Sequence, residues 1–155
     1  VWPVTVKPSE IRAAIAANIA ATLGAIAWRE SPLAYPAFPG EGDSMAGHAD
    51  FAVGVLPGMQ LGSTDRQRLS GDGRGTMATT VIGVKFARVI APNAQVEDYD
   101  AALDGEAGIV ALVLGTPIAG CSVRLQDAVA RGLEADFPMY LGELRFEVRH
   151  FYPLS

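Results

Sequence analysis

His48 stands close to Asp43, Ser44 and Asp50, so that an imidazole, a hydroxyl and carboxylates gather in one short run. Such a set is the raw material of a hydrolase triad or a metal site. The spacing supplies neither pattern. Ser44 has no Gly-x-Ser-x-Gly elbow around it, no His-x-x-x-His pair exists, and the run lies among glycines and prolines. A small hydrolase using the 43–50 loop therefore stands as the alternative of another class, beside a turn whose side chains cap their own backbone. The second histidine, His150, falls on the apolar side of an alternating strand. A lone imidazole there, with no partner base and no further ligands, reads as a satisfied core residue.

The remaining candidates are thinner still. Gly71, Gly73 and Gly75 alternate, but no lysine and no helix follow them, and a phosphate loop needs both. Cys121 has no neighbouring base and reads as a small buried side chain. A single cysteine makes neither an internal disulfide nor a zinc cluster. Glu97, Asp98, Asp100, Asp104 and Glu106 lack the central glycine and terminal glutamate of a calcium loop. They read either as a solvated helix face or as a face used for repulsion or docking. No cofactor, no metal and no enzymatic activity is expected.

That acidic run accounts for the charge of the whole chain. The 155 residues carry a net charge of −5, and no basic residue lies between Arg88 and Arg124, so the five acids of the run hold all of it. Elsewhere acids and bases balance. The sign argues against a protein that grips nucleic-acid phosphates, an affinity that Lys and Arg supply by displacing counterions. The bases are mostly arginines, with only Lys7 and Lys85 as lysines, which suits ordered ion pairs at protein contacts.

The elements that would position these residues follow from periodicity. Ile11, Ile15, Ile19, Leu23 and Ile26 recur at helical spacing after a Ser9-Glu10 start, with alanines on both flanks that permit close packing. The uncharged stretch between Arg12 and Arg29 is too rich in alanine, and too interrupted by Asn18 and Thr22, for a membrane span. A secretory signal would place basic residues before it, and Pro3, Pro8, Ser9 and Glu10 stand there instead. Residues 31–50 collect prolines and glycines and read as a loop. Two strands follow, near residues 51–56 and 79–90, and are expected to pair. A helix that starts between Gln95 and Asp98 and ends before Gly115 should turn Tyr99, Leu103, Glu106 or Ala107, Val110 and Leu114 inward. Residues 122–126 read as a short strand and 126–140 as a link through Gly132 and Pro138. The last strand is the clearest, with Leu144, Phe146, Val148 and His150 alternating with Glu143, Arg145, Glu147 and Arg149.

Between the first two strands, residues 57–78 make a long insertion. Fixing so many backbones costs more than Met59, Leu61, Leu69 and Met77 return by burial, so the segment is expected to be a mobile loop that orders on a partner.

The order of these elements carries a resemblance. It runs from a helix opening Ser9-Glu10-Ile11-Arg12 through a strand, the glycine-rich insertion and a second strand. It continues with the helix Asp98-Tyr99-Asp100-Ala101-Ala102-Leu103-Asp104 and the ending Gly142-Glu143-Leu144-Arg145-Phe146-Glu147-Val148-Arg149-His150-Phe151-Tyr152. This layout resembles the tail terminator proteins of long-tailed bacteriophages, especially the minor tail protein U type. Neck, head–tail connector and completion proteins share it and are the alternative within the same class. The resemblance implies a mixed sheet flanked by helices and a homohexameric ring that caps the tail tube, ends its polymerisation and offers the head-attachment surface. It implies a virion location at the neck end of the tail, with assembly in the host cytoplasm. The implied partners are further copies of the chain, the tail tube protein and a head-completion or connector protein, with no membrane. DNA would pass through without specific binding. Together the elements and the resemblance predict an α+β fold over residues 1–155: one domain, a mixed and mostly antiparallel sheet, two main helices, and the long mobile loop.

Three sets of residues are expected to serve such a role. Asp65, Arg66, Arg68 and Arg74 of the insertion would touch the tail tube. Glu143, Arg145, Glu147 and Arg149 would contribute to the subunit interface, with the small-residue flank of the first helix as a second contact. Asp98, Asp100, Asp104 and Glu106 would face the DNA channel, where repulsion of phosphate helps passage.

Overall fold

The computed structural model describes residues 4–23, 28–31, 33–38, 49–61, 67–68, 74–126, 130–134 and 139–153. It is an α+β fold built on one sheet. In chain order the elements are α1 (Pro8–Leu23), β1 (Trp28–Glu30), a 3-10 turn (Tyr35–Ala37), β2 (Ala49–Val55), β3 (Gln60–Leu61), β4 (Gln67–Arg68), β5 (Arg74–Val89), α2 (Gln95–Gly115), β6 (Cys121–Leu125), β7 (Ala130–Glu134) and β8 (Met139–Pro153).

Two long antiparallel strands form the spine. β5 and β8 pair without interruption from Gly75↔Pro153 to Val89↔Met139. β2, β3 and β4 follow one another along the free edge of β5, all antiparallel to it. β6 and β7 do the same along the free edge of β8. The main path is thus β1-β2-β5-β8-β6, and only the β1–β2 pair is parallel. The expected pairing of the first two long strands holds, with Val53 opposite Val84.

Both helices cover one face. Ile11, Ile15 and Ile19 of α1 and Ala102, Ile109 and Val113 of α2 bury against Phe51, Val53, Ile82, Val84, Phe86, Leu144, Phe146 and Val148. Alternation puts these strand residues on the same side. Phe86 is edge-on to Trp28, with ring centroids 5.9 Å apart, and also meets Tyr140, whose ring in turn meets Tyr99. Trp28 needs Gly105 beneath it, because a Cβ there would overlap the indole.

Several expectations change. The 57–78 insertion is not loop throughout: Gln60–Leu61, Gln67–Arg68 and the first residues of β5 belong to the sheet. β8 is long enough that its last residues present backbone groups needing partners, and β5 extends back to residue 74 to supply them. The link across 126–140 contains β7, paired to β8 through Gly132↔Leu141. The buried stripe of α2 consists of Ala102, Gly105, Glu106, Ile109 and Val113; of the residues expected inward, Glu106 is buried and Leu103 and Val110 pack against the core half-buried, while Tyr99 and Leu114 are exposed. Alanine at position 102 and glycine at 105 admit the bulky Trp28 and sheet side chains, so the helix turns its small residues inward. At the start of α1 it is Glu10 that reaches back to the Lys7 N–H, at 3.4 Å, with Pro8 in the first turn.

The lead-in and the proline-rich loop also find places. Thr5 bridges to Phe151, and the Val6 N–H donates to the Phe151 carbonyl at 2.8 Å, so the lead-in adds to the β8 edge beyond β6. Residues 33–38 strap the face of the sheet opposite the helices, with Phe38 on Ala52 and Ala87.

Candidate functional site

The strapped face is where Lys85 of β5 and Glu143, Arg145, Glu147 and Arg149 of β8 point. Tyr35 lies across the cross-strand pair Gly54↔Gly83, and a Cβ on either glycine would overlap its ring. Its hydroxyl donates to Glu143 Oε1. The Lys85 ammonium sits 4.4 Å over the ring and donates to the Tyr35 carbonyl at 3.2 Å. Lys85 and Glu143 are register partners, so one residue of the strap closes a cross-strand charge pair. Burial, then the hydrogen bond and charge of Glu143, push the Tyr35 phenol well above its ordinary range. It remains a donor at every physiological pH.

Past the strap the face opens. Glu147 accepts from Arg124 Nε at 2.6 Å and from Gln126 Nε2 at 3.4 Å. Arg145 approaches Glu143 at 3.6 Å. Both acids of the predicted interface ladder are therefore used inside the subunit. The arginines stand above them: the Arg124 and Arg145 side chains are 77% and 47% exposed, against 25% and 21% for Glu147 and Glu143. Arg149 is exposed on the same face. The ladder is read correctly from the sequence, while Arg124, Lys85 and Tyr35 are missed as its neighbours. Only Arg124 had a visible signal, as the one charge in a short alternating strand.

The acidic set on α2 divides. Asp98 accepts from the Ala91 N–H at 2.8 Å and pairs with Arg88 at 3.4 Å, which ties the connection from β5 to the helix. Glu106 is buried and accepts from the Tyr140 hydroxyl at 2.8 Å. Neither shares the outward face with Asp100 and Asp104, so the predicted four-residue channel face does not exist as one surface. The carboxylates left outward are Glu97, Asp100 and Asp104, on the side of the molecule away from the sheet.

Of the proposed tube contacts, Asp65 and Arg66 lie outside the described residues, and Arg68 and Arg74 are direct cross-strand partners in β4 and β5. Asp43, Ser44 and His48 also lie outside them. Asp50 is fully buried and engages Arg29 through two contacts, Nη2 to Oδ2 at 2.6 Å and Nε to Oδ1 at 3.2 Å. It serves the β1–β2 junction, where the two residues are register partners. The exposed side of α1 carries Ala13, Ala17, Ala20 and Ala21, as its small-residue flank predicts.

His150 is a core residue. Its Nδ1–H donates to the Val6 carbonyl at 2.8 Å, which leaves Nε2 to accept from the Thr80 hydroxyl at 2.8 Å. Burial lowers its pKa, and backbone hydrogen bonds at Val6 and Phe151 offset part of that. The Cys121 thiol is pushed up by burial and then by the charge of Glu10, the reverse of what a nucleophilic thiolate needs. Among the described residues no group of His, Cys, Asp or Glu is arranged to hold a metal ion. Among them no helix is long and apolar enough to cross a membrane.

Compared with protein-family models and with curated proteins, the chain matches none.

Proposed function

We propose that the chain is a structural protein of a long-tailed phage, a tail terminator whose copies close a ring on the end of the tail tube. In that role it stops tube growth and presents the surface to which the head attaches. The observation that carries the proposal is the arrangement of the sheet. Both helices lie on one side, and β8 with its neighbour β6 turns an arginine-topped surface, only partly strapped, to the other. A face of that kind on β8 suits a contact with another subunit better than a small-molecule cleft, because it is broad, charged and built on the most extensively paired strands of the fold. The reading rests besides on the order of elements and the ending Gly142 to Tyr152, which carry the resemblance in the sequence. The β4–β5 hairpin, with Arg68 and Arg74 as register partners, is the segment offered to the tube.

Purified protein added to polymerising tail tubes tests this. Electron microscopy should show rings at tube ends, and tube elongation should cease at stoichiometric ring. Tubes that grow unchecked with bare ends would overturn the proposal. Binding to a head-side connector with no effect on tube growth would move the chain to the neighbouring neck proteins.

A further inference from the structure

The molecule carries opposite charge on opposite sides. On the helix side, Glu97, Asp100 and Asp104 point to solvent from the first half of α2, and the chain contributes no basic residue of its own between Arg88 and Arg124. On the sheet side, Arg124, Arg145 and Arg149 rise above the carboxylates with which two of them pair. The sheet lies between the two surfaces, so they cannot meet within one subunit. They are different patches, which makes any contact between them heterologous: residue sets of unlike kind on the two partners, propagating from copy to copy.

We propose that the outward carboxylates of α2 dock on the arginine face of β6 and β8 in a second copy of this chain. The inference rests on the ring reading and names the contact that would build it. Three features of the molecule select another copy as the occupant. The signs are complementary, the two surfaces are different patches as head-to-tail assembly requires, and Arg124 and Arg145 are partly held in place by Glu147 and Glu143, which lowers the entropy cost of the contact. The acidic surface then faces a neighbour rather than passing DNA.

Charge swapping provides the test. One variant carries Asp100→Lys and Asp104→Lys; the other carries Arg145→Glu and Arg149→Glu. All four positions are solvent-facing, and none is a buried partner in the core, so a retained cooperative thermal transition should confirm that each variant folds, with a modest loss allowed where Arg145→Glu gives up its pairing with Glu143. Solution mass measured by light scattering at low ionic strength, with and without tail tubes, is the readout. Wild-type protein should associate, and each variant alone should associate at least about tenfold more weakly. Mixed in equal amounts, the variants should recover association, because each supplies the sign that the other lost. Variants that associate as the wild type does would overturn this contact and leave the ring reading standing. Failure of the mixture to recover would also overturn it. A wild-type protein that stays monomeric under every condition would overturn the contact and the ring together.

Discussion

Asp50 and Arg29 form an unequal pair. The carboxylate is fully buried, whereas the Arg29 side chain is 46% exposed. Removing the arginine strands a charge inside the protein; removing the charge of Asp50 leaves an arginine that can turn to water. Arg29→Met should therefore destabilise by about 3 kcal/mol, and Asp50→Asn by roughly 1–2 kcal/mol, as read from urea midpoints. Equal losses would show that the pair is not anchored at Asp50.

His150 adds a pH dependence of known sign. Its folded pKa lies below its unfolded value, so below the unfolded pKa near 6.5 the unfolded chain binds a proton that the native state does not. Its contribution is thus intact above that value and is lost as pH falls toward the folded pKa. The wild-type urea midpoint should drop between pH 7.5 and 5.5, and His150→Asn, although less stable at pH 7.5, should show a shallower slope. An unchanged slope would mean that carboxylates alone govern this range. The sequence placed His150 in the core through strict alternation, but the two groups it bonds, Thr80 and Val6, are remote in sequence and came only from the register of β5 on β8 and the docking of the lead-in.

At the scale of elements, α2 shows how periodicity finds a helix before it finds the buried face. The helix runs from Gln95 to Gly115, close to the expected start between Gln95 and Asp98 and one residue past the expected end before Gly115, yet Ala102 and Gly105 face inward where larger side chains were expected. A hydrophobic pattern ranks residues by size and apolarity, whereas the space here is filled from across the interface by Trp28. Two glycines of this helix should respond in opposite directions. Gly105→Ala gains helix propensity but forces a Cβ into the indole, for a net destabilisation of about 1–3 kcal/mol. Gly115→Ala meets nothing and should stabilise by roughly 0.5 kcal/mol. Thermal unfolding of the two variants side by side checks the seating of Trp28. The short strands escaped notice for a related reason: β1, β3 and β4 are too brief to show alternation and exist because longer neighbours offer them backbone partners. Long β8 needed no such help, since its apolar and charged residues alternate over most of its length.

For the whole molecule, the net charge of −5 conceals a separation that matters more than the total. The sequence located the acids correctly on one helix, but it could not reveal that Asp98 and Glu106 are absorbed by Ala91, Arg88 and Tyr140 while the other acids stay outside. What remains is a negative helix side and an arginine-topped sheet side. Contacts between such surfaces are exposed at their rims and weaken as salt shortens the screening length, from about 14 Å at 0.05 M to about 6 Å at 0.3 M. Association of the wild-type protein should fall severalfold across that range, mostly through slower encounter. If burial of apolar surface drove assembly instead, salt would leave association unchanged or strengthen it. Sedimentation at the two ionic strengths therefore distinguishes a ring held by opposed charges from one held by the alanine flank of α1.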